Sequence, residues 1–85
     1  MNISRAEQRV LHALARGGYI SRLYDGRGRI AEVLCFTRDS HVLSDCDLAV
    51  FNKLRRKRLI ESKASSPYRI SPTGRRSVRS QLDNR

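Results

Sequence analysis

Cys35, His41 and Cys46 carry the side chains of this chain that could hold zinc or attack a carbonyl. Their spacing matches no finger or ribbon pattern, and no fourth ligand is evident, so a metal centre is not expected. A thiol in the first turn of a helix is acidified by the helix dipole, and Cys46 reads as occupying such a turn. Asp45 and Asp47 flank it, however, and neighbouring carboxylates disfavour a thiolate. Both cysteines fit better as small buried hydrophobes, reduced in a cytosolic protein. Neither histidine falls in a nucleophile–base pattern. Asp25-Gly26-Arg27-Gly28 lacks the following helix start that a phosphate-cradling loop needs. No enzyme and no cofactor are expected.

The chemistry the chain does offer is electrostatic. Eighteen Lys and Arg stand against eight Asp and Glu, for a net charge of +10. The excess is uneven: residues 1–52 hold seven Arg and six acids, whereas residues 53–85 hold eleven Lys or Arg and two acids. Such asymmetry points to a polyanion or an acidic protein surface as partner. The candidate contacts are Asn52, Lys53, Arg55, Arg56 and Lys57 on one helix, Lys63 at a hairpin tip, Arg69 on its return strand, and Arg75 and Arg76 beyond it. Lysine and arginine meet phosphates or guanine edges, and Asn52 is placed to read an adenine if the helix enters a major groove. The ordinary reading of Asn52, a surface polar residue, is the favoured one.

The elements that must carry these residues follow from periodicity and punctuation. Ser4-Arg5-Ala6-Glu7 is a capping box, so a helix starts at Arg5. Val10, Leu11 and Leu14 form its buried stripe, Arg5, Arg9, His12 and Arg16 its wet face, and Gly17-Gly18 its end. Tyr19–Tyr24 and 29–37 read as strands of a hairpin around the glycine-bearing turn at 25–28. The second strand is apolar on both sides, so either face suits the core. Residues 37–44 are a polar loop, and Ser44-Asp45-Cys46-Asp47 reads as a helix start with acids in the first turn. Val50, Phe51 and Leu54 then line one stripe, with the cations in the last turns. Leu59 and Ile60 begin a strand whose partner is Tyr68-Arg69-Ile70, with a polar tip at 63–67. Ser71 is an N-cap and Pro72 the first residue of a final helix. Val78 and Leu82 are its large apolar residues, and 83–85 should fray.

Helix, hairpin, helix, wing hairpin and short C-terminal helix make an α+β domain of winged-helix-like layout over residues 1–85. A chain of 85 residues buries only about 60–65% of its extended surface, so one small core is expected. The longest apolar run is far too short for a membrane span, and the N-terminus lacks a signal-peptide run. Cytoplasmic placement is therefore expected.

The chain also resembles the YjhX toxin family along its whole length. The likeness is densest in Ser4-Arg5 with Glu7-Gln8-Arg9, in Leu11-His12, Leu14-Ala15 and Gly17-Gly18, and in Asp45-Cys46. It continues through Leu48-Ala49-Val50-Phe51, Lys53-Leu54, Pro67-Tyr68-Arg69-Ile70 and Asp83-Asn84-Arg85. The resemblance implies a toxin of a bacterial toxin–antitoxin pair that inhibits DNA topoisomerase I. It also implies a cognate antitoxin resembling an acetyltransferase. No catalytic residue is inherited from it. The competing reading, from the layout alone, is a winged-helix transcription regulator, which would ordinarily dimerise on a two-fold site.

Overall fold

In the computed structural model, which describes residues 3–83, three helices pack around two antiparallel hairpins. The first helix, α1 (Arg5–Ala15), starts on the expected capping box: the Ser4 hydroxyl accepts from the Glu7 amide at 3.2 Å and Glu7 Oε1 accepts from the Ser4 amide at 3.1 Å. It ends in a Schellman motif, with the Gly17 amide on the Leu14 carbonyl and the Gly18 amide on that of Ala13. Gly17 takes a φ of +107°, and a Cβ at Gly18 would overlap the Phe36 and Ala13 carbonyls, so each glycine has its own reason.

The strands β1 (Tyr19–Tyr24) and β2 (Ile30–Phe36) pair antiparallel, with Ile20 opposite Cys35 and Arg22 opposite Val33. The turn between them is stitched by Asp25, whose carboxylate accepts from the amides of Arg27 and Arg29, while Gly28 supplies a φ of +77°. The register settles which face is inner. Ile20, Val33 and Cys35 enter the core, and Tyr19, Leu34 and Phe36 face the other way.

The second helix, α2 (Leu48–Arg56), begins later than its sequence suggests. Asp47 is its N-cap, accepting from the Val50 amide at 2.9 Å, so its first turn carries no acid. Cys46 precedes the cap. Its side chain must reach the core, and Asp45 is drawn to Arg9 at 3.1 Å, so the chain cannot turn helical before Asp47. Replacing Asp47 by Ala should cost about 1 kcal/mol of unfolding free energy in urea titration, the ordinary worth of a side-chain cap. An unchanged midpoint would show that another group takes over the Val50 amide.

Helix α2 also ends in a Schellman motif, but its left-handed residue is Arg58, at a φ of 59°, rather than a glycine. The short strands β3 (Ile60–Glu61) and β4 (Arg69–Ile70) then form the wing, with Ile60 opposite Ile70 and Glu61 opposite Arg69. Leu59 lies just outside the ladder, with its carbonyl accepting from the Ser71 amide. Two reciprocal backbone hydrogen bonds of 2.9 Å join Ile20 to Tyr68 and tie the wing root to β1. Helix α3 (Pro72–Asp83) starts as expected: Ser71 Oγ accepts from the Gly74 amide at 3.0 Å while its hydroxyl donates to the Arg58 carbonyl at 2.7 Å. Asp83 is still helical, and the rest of the expected fraying at 83–85 lies outside the described residues.

The core joins Val10, Leu11 and Leu14 of α1 to Ile20, Cys35, Phe51, Leu54, Leu59, Ile70 and Val78. Phe51 sits at its centre, fully buried, with the Tyr68 ring edge-on at 5.0 Å. Among the described residues no helix is long and apolar enough to cross a membrane.

Candidate functional site

The residues singled out in the sequence separate into four groups. Asn52, Arg55 and Arg56 stay together, lining one shallow surface hollow on α2. Their spacing of three and four residues puts them on one helical face, and the buried Phe51 and Leu54 hold the opposite face down. The Arg55 guanidinium also lies 5.4 Å from the centre of the Phe51 ring. Its stem covers the core while its charge faces water.

A second group is assembled by the wing. Lys63, Arg69 and Arg75 line a common hollow with Glu61, Ser66 and Pro67, across the hairpin and the first turns of α3. The wing places these residues because Ala64 and Ser65 both take left-handed φ, reversing the chain within four residues of Lys63. Glu61 is the one acid in this hollow. Its carboxylate stands 4.0 Å from the Lys63 ammonium, both largely exposed, so water and salt leave that attraction little strength. Lys53 and Arg76 are exposed on α2 and α3, and Arg76 donates to the Thr73 hydroxyl at 3.2 Å.

Lys57 has a different task. Its ammonium donates to both carboxylate oxygens of Glu7, at 3.1 and 2.9 Å. Glu7 is 1% exposed, so this is a buried ion pair between α1 and the C-cap of α2. Burial alone would push the Glu7 carboxyl up. The Lys57 ammonium, with the Ser4 amide and hydroxyl, more than offsets it and holds that carboxyl below its usual range. Lys57 is therefore engaged in holding the fold, and the basic face is carried by the other cations.

Arg22 belongs beside that face although its sequence context, mid-strand in β1, gave no sign of it. Its guanidinium donates to the Ser66 carbonyl in the wing at 2.9 Å and to the Tyr24 hydroxyl at 2.6 Å, and it lies 4.9 Å from the Tyr68 ring centre. The available signal was alternation: Ile20, Arg22 and Tyr24 share one face of β1, and the inner face runs out of core at Arg22. Arg69 reaches the other face, 5.6 Å from the Tyr19 ring.

The cysteines form no separate site. Both are free and buried, and their thiols hydrogen-bond each other. That bond, burial and the neighbouring Cys35 and Asp47 charges push the Cys46 thiol far up, while the same bond holds the Cys35 thiol down against its burial. Among the described residues no group of three His, Cys, Asp or Glu is placed to hold a metal ion.

A relative from Beijerinckia indica, named a UPF0386 protein, is 75% identical over the full length of both chains. UPF0386 proteins from a Ruegeria species and from Aliivibrio fischeri are 64% and 49% identical, again over the full length of both. No solved structure matches this chain. The YjhX toxin family, described as "putative toxin of bacterial toxin-antitoxin pair", matches residues 1–85, and the chain belongs to that family.

Proposed function

We propose that this protein is a toxin that inhibits DNA topoisomerase I, with the face made by α2, the wing and the start of α3 as its contact to the enzyme on DNA. One observation carries the surface assignment. Asn52, Arg55 and Arg56 line one hollow on the helix, Lys63, Arg69 and Arg75 line another around the wing, and Glu61 in the wing hollow is the one acid among the residues lining either. Cations in this state attract phosphates or acidic protein groups at long range and lose strength as salt rises. The choice of topoisomerase I comes from the family resemblance, as does the proposal of an acetyltransferase-like antitoxin and of cytoplasmic action.

The reading supposes specific contact rather than masking of DNA, and the two differ in their controls. In a plasmid relaxation assay, the purified protein at micromolar excess should block topoisomerase I and spare an unrelated topoisomerase. Inhibition should stay confined to topoisomerase I at every salt concentration at which it is seen, because masking of DNA does not choose between enzymes. Replacing Arg55 and Arg56 together by Gln should weaken binding to unrelated duplexes alike, and flatten its salt dependence by roughly two phosphate contacts. Inhibition of every enzyme, vanishing with salt, would reduce the mechanism to masking. Full topoisomerase I activity would overturn it.

The winged-helix regulator has less support. A recognition helix is normally braced by a helix just before it, whereas the segment before α2, residues 37–47, holds turns and the Val42 bridge and no helix.

A further inference from the structure

The outer face of the β1–β2 hairpin carries an apolar strip that stands apart from the core, interrupted by Ser21 and, opposite Leu23, by the exposed Glu32. Tyr19 and Phe36 stack on it at 5.2 Å, Leu34 lies between them and the tip, and Leu23 is 48% exposed. Val42 extends the strip: it pairs with Phe36 as an isolated antiparallel bridge and is 58% exposed. The strip ends in a cleft of about 720 Å³ between the end of α1 and the turn at 37–41. His12 and Arg16 line it from the helix, Arg38 and His41 from the turn, and Asp39 is the one carboxylate among them.

This cleft is held in shape. The turn is closed by the Thr37 amide on the His41 carbonyl at 2.8 Å and the His41 amide on Thr37 Oγ1 at 3.1 Å. Ser40 takes a φ of 68°, a conformation that a serine adopts only at some cost. The Arg38 stem packs over Gly17, within ordinary van der Waals reach of where a Cβ would stand, at 3.6–3.7 Å. The cleft shares no residue with the two basic hollows of α2 and the wing, and the strip meets the wing hollow only where Arg69 lies over the Tyr19 ring at 5.6 Å.

We propose that this surface is where the antitoxin docks, through an acidic segment whose apolar side chains cover the Leu23–Phe36–Val42 strip and whose carboxylates enter the His12–Arg16–Arg38–His41 cleft. The inference rests on the family's toxin–antitoxin pairing and not on the choice of target. Charge complementarity selects an acidic occupant, since the cleft sets the guanidinium groups of Arg16 and Arg38 against the single carboxylate of Asp39, with two imidazoles as further hydrogen-bonding groups. The strip selects a protein over a nucleic acid. Phosphate recognition needs no exposed leucine and valine, whereas a protein interface is anchored by desolvated apolar and aromatic side chains. Neutralisation then leaves the basic face of α2 and the wing uncovered, and the antitoxin acts from a separate surface.

The test uses the full chain and, as probe, the purified protein encoded beside it as the other member of the pair. Amide exchange of the wild-type complex should show protection at 19–23 and 34–42 and none at 52–56. The double variant Leu23→Asp/Val42→Asp should weaken the complex by at least about 100-fold, as loss of central anchors does. Arg16→Glu/Arg38→Glu should weaken it by about 10-fold or more, with a steeper loss at low salt. All four side chains are exposed or half-exposed, and circular dichroism checks that the variants fold. Arg55→Gln/Arg56→Gln should leave this affinity unchanged, and excess duplex DNA should not compete. Protection confined to α2 and the wing, or undiminished binding by the folded variants, overturns the docking site while leaving the pairing intact. Absence of any wild-type complex overturns the pairing itself.

Discussion

Replacing Lys57 by Met should lower stability at neutral pH by about 3 kcal/mol, the low end for breaking a buried ion pair from one side. The low end applies because the Lys57 side chain keeps 27% of its exposure, whereas Glu7 is left with 2%. The variant strands a carboxylate in the core, and pH dependence is what distinguishes that from lost packing. The Glu7 carboxyl titrates below its ordinary value of 4.5 in the folded wild type, so its contribution is fully present above that value. It is lost as the pH falls through the lower folded value. In the variant the ammonium no longer opposes burial, so Glu7 becomes easier to protonate and protonation relieves the penalty. Urea denaturation from pH 7 down to about 3 should therefore show the gap between wild type and variant closing. Parallel curves would mean that the pair acts only through packing.

Gly74→Ala should destabilise by about 2–3 kcal/mol, as overpacking against an immovable neighbour does. The sign is the decisive part. Glycine to alanine inside a helix ordinarily stabilises by about 1 kcal/mol. Here a Cβ would overlap the Leu59 carbonyl oxygen and approach Ile70 Cγ1 to 2.7 Å. That carbonyl is pinned by the Ser71 amide at 3.0 Å, and Ser71 itself caps the helix that Gly74 belongs to. The alanine must therefore move α3 away from the wing root. A thermal midpoint equal to or above wild type would show that the contact is loose. A lowered midpoint, with toxicity kept at low temperature, would place the damage in folding rather than in target contact.

What could be read from the residues was the local chemistry. The Ser4–Glu7 box, the Gly17-Gly18 stop, the turn at 25–28 and the Ser71-Pro72 start each involve partners within a few positions, and each stands as expected. What could not be read depended on distant partners. Three capping candidates crowd 44–47, and the choice of Asp47 was made by Arg9 holding Asp45 and by the core claiming Cys46. The end of α2 carries no glycine to announce it, because Arg58 accepts the left-handed position. Lys57 looked like one more surface cation, since nothing in a basic run reveals a carboxylate 50 residues away. The basic face itself was legible because exposed charge needs no partner to be recognised. Arg22 was not, because its neighbours come from the wing.

The bonds between Ile20 and Tyr68 tie β1 to a residue made late in synthesis. A helix as short as α1 is marginal in water by itself, and the partners that bury Val10, Leu11 and Leu14 come from α2, β4 and α3. During synthesis these partners leave the ribosome last, so the first helix must wait for nearly the whole chain. A nascent or truncated product therefore shows proteases an unprotected amphipathic segment, and the basic face is assembled only on a completed molecule. Translation itself then sets the earliest moment at which this protein can act.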